Sequence, residues 1–363
     1  MTTNPTHPLF GILRAFGCGT ARFSGLALVF CLLLPGCKKN LYPDNQAQNE
    51  LVVLAEISAD EPLKIPVSKS VQVGNGGVIT FDKVTTAKVT ITSDQGPSWT
   101  CKLNSSTNYA NDPASIYTSS QRPVANSTYR LRVEDPLSGT VTATTTIPSR
   151  PHLVKWDTSY GNRGGRQVLQ WRVLLMDPPD TSNQYIFEAL KELLRIQHLF
   201  TYQGKSYNYD TKDGKDLYNK VKGQPGIQLR TDTQSTNTYL RLHIYTDDRN
   251  VDNAKVSTLD SPFARIFLPD KVFSGQPYTE TVMVDPTYFR AAAGQGPGRV
   301  LLILRSASSE LYNYLFWYEQ YKADISTLPP DQLYSPPGNI QNGLGIFGGS
   351  AKRQWVYYFD DLH

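Results

Sequence analysis

From Leu51 onward, short runs of alternating apolar and polar residues dominate the chain, and this pattern limits its fold more than any other feature. A period of two puts successive side chains on opposite faces of a strand, so each run reads as a strand with one face buried. The first set is Leu51–Ile57, Leu63–Val73, Ala87–Ser93, Ser98–Leu103, Thr128–Glu134 and Thr140–Ile147. Turn residues separate its members, as in Gly74-Asn75-Gly76-Gly77 and Asp94-Gln95-Gly96-Pro97. Short β-branched strands at this spacing predict an immunoglobulin-like β-sandwich over residues 50–149, closed by Pro148 and Pro151.

Residues 150–363 predict a larger β-rich domain with one or two helices, so the fold class is mainly β. Strands are expected at Leu153–Thr158, Val168–Met176, Tyr239–Tyr245, Ala264–Leu268, Thr279–Val284, Val300–Arg305 and Trp355–Phe359. Ile186, Leu190, Leu193, Leu194 and Gln197 follow helical spacing and predict a helix over Tyr185–His198. A second helix is expected from Ser309 to about Asp324. Ser308 caps it, Glu310 complements its dipole, and Leu311, Tyr314, Leu315 and Tyr318 form its buried stripe. Residues 201–238 are polar and read as a long excursion from the sheet.

The first residues carry a different signal. Arg14 and Arg22 precede an apolar run from Gly25 to Leu34, which is shorter than the ~20 residues a spanning helix needs. The run ends in Leu34-Pro35-Gly36-Cys37, the order a bacterial lipobox requires. Residues 1–36 are therefore expected to be a cleaved lipoprotein signal, with Cys37 lipidated and 37–49 a tether. Acyl chains on Cys37 would hold the protein to a membrane without a spanning helix. Cys18 and Cys31 leave with the signal, so Cys101 alone remains in the folded part and reads as a small core residue.

Charge and motifs exclude several classes. Two of the 36 basic residues, Arg14 and Arg22, precede Cys37, and none of the 32 acidic ones does. The net charge after processing is near neutral with no basic block, which excludes a nucleic-acid footprint. No zincin, nucleophile-elbow or P-loop pattern occurs in a fitting context, so no catalytic residue, metal or cofactor is expected. Gly343, Gly345, Gly348 and Gly349 lack the lysine of a phosphate loop and read as points of bending or close packing. Gly294–Gly298 reads as a turn. Asp210-Thr-Lys-Asp213-Gly214-Lys-Asp216 has the composition of a calcium loop without its spacing, and reads first as a solvated turn.

Aromatic residues are the remaining resource, with 21 Tyr, 14 Phe and 5 Trp, most of them expected in cores. Tyr312, Phe316 and Trp317 fall off the helical stripe, and Trp355 lies near the C-terminus. These four are expected to form a contact surface for a glycan or peptide ligand or for a protein partner.

The segment from Arg299 to Leu315, followed by Asn339-Ile-Gln-Asn-Gly-Leu-Gly-Ile-Phe347 and Gly348-Gly349, resembles a family of Bacteroidota lipoproteins catalogued as domain of unknown function 4249. Leu51-Val52-Val53, Tyr129-Arg-Leu-Arg-Val133, Ile147-Pro148, Asp177-Pro178 and Asn183-Gln184-Tyr185 carry the rest of the resemblance. It implies an outer-membrane lipoprotein encoded beside a TonB-dependent receptor, with no established activity. Lys38 and Lys39 depart from the acidic residues that often follow the lipidated cysteine in surface-displayed members, which leaves the membrane face open. An importer subunit without enzymatic activity is the expected function. A structural or adhesive envelope protein and an envelope hydrolase stay open beside it.

Overall fold

The computed structural model describes residues 50–59, 61–70, 82–106, 112–179, 183–252, 264–289, 299–324 and 336–358. The signal segment, Cys37, the tether and the turns at 74–77 and 294–298 lie outside them. So does the end of the strand expected to reach Val73.

The described chain is mainly β. Its first part contains β1 (Leu51–Ser58), β2 (Leu63–Lys69), β3 (Asp82–Lys83), β4 (Lys88–Ser93), β5 (Ser98–Leu103), β6 (Ser115–Ser119), β7 (Ser127–Asp135) and β8 (Gly139–Ile147). Strands β1, β2 and β6 form one antiparallel layer, and β5, β4, β7 and β8 continue from it as the second. Their inward rows meet in one core that includes Val53, Ile57, Ile65, Val89, Ile91, Leu131, Val133 and Cys101. Burial raises the Cys101 thiol to about 11, as its place among apolar side chains requires. Tyr129 is fully buried, and its hydroxyl accepts the Val124 N–H at 2.8 Å, pinning the turn before β7. The one well-formed strand missing from the expected set is β6. Its Ser115, Ile116 and Tyr117 are all buried, so no alternation marks it.

The second part contains β9 (Leu153–Arg163), β10 (Arg166–Met176), β11 (Gln184–Tyr202), β12 (Lys205–Asn208), α1 (Lys212–Val221), β13 (Arg230–Arg241), β14 (Ile244–Tyr245), β15 (Arg265–Pro269), β16 (Pro277–Val284), β17 (Arg299–Ala307), α2 (Ser309–Asp324) and β18 (Leu344–Tyr358). A four-stranded sheet in the order β14-β16-β10-β9 lies across a second core from β11, β15 and β17. Gly164 and Gly165, both at positive φ, turn β9 into β10.

The helix expected at Tyr185–His198 is instead most of β11, a 19-residue strand. Residues Tyr185–Ala189 are buried on both faces, and the pairing register with β13 shifts between Leu193 and Leu194. Farther along, apolar residues fall on both parities, as in Leu190, Leu193 and Leu194, and so imitate spacings of three and four. The two helices are α1 and α2. Helix α1 falls, with β12 and most of β13, inside the stretch expected to be an excursion.

The closing strand β18 joins the two parts. It runs parallel to β1 from Leu344 to Ser350 and antiparallel to β17 from Ser350 to Tyr358. Phe347 and Ala351 fill the first core, and Tyr357 enters the second. The glycines preceding this joint have a steric reason. A Cβ on Gly345, at φ +107°, would stand 2.0 Å from the Val53 carbonyl oxygen. One on Gly349 would stand 2.7 Å from that of Thr146. Asn339 locks the approach: its side chain accepts the Phe347 N–H at 2.8 Å and donates to the Phe347 carbonyl at 2.8 Å and that of Thr144 at 3.0 Å. The motif that most distinguishes this sequence is therefore a packing device, as the sequence reading of its glycines expects.

Candidate functional site

Helix α2 lies on the outer face of the β11–β17–β15 sheet. The Ser308 hydroxyl accepts the Leu311 N–H at 3.4 Å and the Gly349 N–H at 3.2 Å, so one residue caps the helix and ties it to β18. The buried side of α2 is Leu311, Tyr312, Leu315 and Phe316, packed on Ile186, Phe267 and Ala307. This corrects the expected stripe by a rotation of one residue. Tyr312 is 2 % exposed, and its hydroxyl donates to Asp252 at 2.8 Å, so it belongs to the core and not to a contact surface. Phe316 sits edge-on to Phe267, 5.3 Å between centroids.

The reason lies in charge. Glu319, which sequence logic turns to solvent, is buried against Arg265 and draws that side of the helix inward. The ion pair extends into a buried network. Glu188 on β11 meets Arg265 and Arg241 at 3.1 Å each and Arg305 at 2.5 Å, and Arg305 also meets Glu56 on β1. Burial alone would push the Glu188 carboxyl up, but Arg305, Arg265 and Arg241 outweigh it and hold it at about 2.

The solvent side of α2 is left with a ladder of half-buried rings. Trp317 stacks on Tyr321 at 5.1 Å, and Tyr314 lies 6.2 Å from Trp317 and 6.5 Å from Tyr318. Trp317 is half-buried on this side, together with Tyr314 and Tyr318, which were expected in the buried stripe. Flat rings with polar tips suit contact with a protein surface or a sugar face. Trp355 belongs elsewhere. It lies 5.2 Å from the buried Trp171 and 5.6 Å from Trp156 on β9, and Trp156 meets Tyr357 at 5.7 Å. Trp156, which the sequence reading did not single out, is 38 % exposed at the mouth of this cluster.

One acidic pair also emerges. Glu280 on β16 is wholly buried and accepts the Thr246 hydroxyl at 2.5 Å, while Asp248 accepts the Tyr278 hydroxyl. Burial, then the hydrogen bond to Asp248, raises the Glu280 carboxyl well above its usual range. Against the burial that opposes it, the hydrogen bonds from Glu280 and Tyr278 lower that of Asp248. Both directions favour the protonated form of Glu280 beside a charged Asp248. Beside Asp248 lies a polar cavity of about 230 Å³, lined by Gln170, Thr246, Asp247, Thr279, Thr281 and Met283, while Glu280 itself is not among its walls.

The 210–216 segment is the start of α1. Thr211 accepts the Gly214 N–H at 3.1 Å, and Asp210 accepts the His198 N–H at 2.8 Å, so these oxygens point at backbone donors and do not converge. No group of three or more metal-ligating side chains is found among the described residues.

No protein of curated description matches the chain. Among solved structures it is similar to one described as the basis for promiscuous specificity of carbohydrate-binding modules from the β-sandwich superfamily, at 12 % identity over 67 % of this chain and 92 % of that one, with a TM-score of 0.16. Another, described as manganese lipoxygenase of Gaeumannomyces graminis with part of zonadhesin of Komagataella pastoris, is 6 % identical over 86 % and 96 %, with a TM-score of 0.16. At these scores neither likeness bears on fold or function. The family model described as domain of unknown function DUF4249 matches residues 40–355, and the chain belongs to that family.

Proposed function

We propose that this protein is an outer-membrane lipoprotein of the Bacteroidota type, a non-enzymatic accessory or substrate-capture subunit of a TonB-dependent nutrient importer. The observation that carries the reading is the lipobox ending at Cys37, set a short polar tether ahead of a fold whose first strand begins at Leu51. Such a tether lets a folded body work within tens of ångströms of a membrane while lipid alone holds it there. The half-buried ladder of Tyr314, Trp317, Tyr318 and Tyr321 offers aromatic contact area of the kind partners use.

The test is co-purification of the tagged full-length chain from native outer membranes in mild detergent, beside its Cys37→Ala variant. The parent is expected in the membrane fraction with a near-stoichiometric TonB-dependent barrel, and the variant is expected to leave that fraction. Parent protein recovered alone, where other envelope complexes survive, defeats the importer reading. A Cys37→Ala variant that stays membrane-bound defeats the anchor.

A further inference from the structure

The edges of the sheets are treated unequally. A free edge presents unpaired N–H and C=O groups, and proteins ordinarily keep such edges short, polar or covered. Strand β12 has four residues and β14 has two. The long β13 pairs with β11 alone, but its row Thr231, Asp232, Thr233, Gln234 is polar. Strand β9 carries Lys155, Asp157 and Arg163 but departs from these rules in length and in its exposed rings. It is eleven residues long, pairs only with β10 among the described residues, and ends the four-stranded sheet. It also carries large apolar groups into solvent, with Tyr160 47 % exposed beside Trp156.

We propose that β9 is a self-recognition edge, through which two copies of the chain pair antiparallel over Lys155–Gly161 with Thr158 on the two-fold axis. The occupant is set by the edge itself. Its hydrogen-bonding groups repeat at about 6.8 Å, two strand residues, a spacing that another strand matches along its whole length. A second β9 also fits the side chains. In the register centred on Thr158, Trp156 faces Tyr160 of the other copy, so ring-bearing rows meet and shield each other. Lys155 faces Gly161 and Asp157 faces Ser159, so no like charges stand directly opposite. Each Asp157 already has its own Lys155 at 3.6 Å and Arg172 at 3.8 Å, which offsets its diagonal approach to its symmetry mate. The register stops short of the irregularity that β9 makes with β10 near Val154. The product is a continuous eight-stranded sheet of isologous symmetry. This inference goes beyond the importer reading and does not depend on it.

The test uses the full-length chain in mild detergent. Sedimentation of the parent is expected to show a concentration-dependent dimer, and Trp156→Lys is expected to weaken it at least about tenfold, because it removes the ring that meets Tyr160 of the other copy twice in the dimer. Under mild oxidation, Thr158→Cys is expected to form a disulfide-linked dimer. Tyr160→Cys is not, since its two copies would lie about 14 Å apart along the strands. The parent, oxidised alongside, accounts for any thiol already present. Equal cross-linking at 158 and 160 would mean random collision and overturn the register. A parent that is monomeric at every concentration overturns the proposal outright, with no variant needed.

Discussion

The two hydrophobic cores of this molecule are built on different terms. In the first, around β1–β8, most strands turn an apolar face inward and a polar face to solvent, and among their described residues the one buried carboxylate is Asp135, paired with Lys69. In the second, β11, β15 and β17 are covered twice, by the β10–β16 sheet on one face and by α2 on the other. The second face takes charges inside: Glu188, Glu192, Arg265 and Glu319 are all buried. The contrast teaches that covering a sheet twice costs it the alternation by which it could be read. It also places its stability in ion pairs that cannot lose one member cheaply.

Predictions follow the same contrast, from the largest effect down. Gly345→Ala strikes the strand both cores share. Positive φ and a Cβ driven into the Val53 carbonyl should cost more than about 4 kcal/mol and unfold both parts together. Two separate transitions in a thermal melt read by near-ultraviolet signals would show instead that the cores are independent. Glu188→Gln should cost about 3 kcal/mol at neutral pH, because three arginines lose their shared carboxylate. Since the folded Glu188 carboxyl sits at about 2, below its ordinary 4.5, its stabilisation is present above pH 4.5 and lost as pH falls toward 2. The gap between parent and variant in urea midpoints should narrow over that window. A gap that does not change with pH would assign the effect to packing.

Glu280→Gln has the smallest effect and the opposite sign. The folded Glu280 carboxyl is raised, so the folded state holds a proton that the unfolded state gives up. Parent stability should therefore fall as pH rises above about 4.5, by at most ~1.4 kcal/mol per pH unit from this group. The neutral glutamine has no proton to lose and should flatten that slope. Urea midpoints with the same slope for both proteins would remove Glu280 from the account.

Legibility tracked burial pattern residue by residue. The strands of the first core stand close to their expected bounds because Val89 and Ile91, or Leu131 and Val133, alternate with exposed neighbours. Strand β6 escaped because three buried residues in a row carry no period. The Gly164-Gly165 turn was a readable hairpin signal that went unused, and with it would have come the full length of β9 and the exposure of Trp156. Nothing local marks Tyr312 as buried and Trp317 as only half-buried, because both are aromatic and the burial of Glu319 decides which way the helix turns.

By itself, the sequence determined the mainly β class, most strands of the first core, the capped helix after Ser308 and the family. Each of these is written within a few residues, in periodicity, a cap or a short motif, and needs no distant partner to be read. The tertiary structure decided the rest. It made a 19-residue strand of the expected helix, passed the last strand between both cores, buried Glu188 and Glu319 around Arg265, and left β9 paired with β10 alone among the described residues. Those outcomes depend on which face of an element is covered by residues a hundred positions away, and a period along the chain carries no record of that.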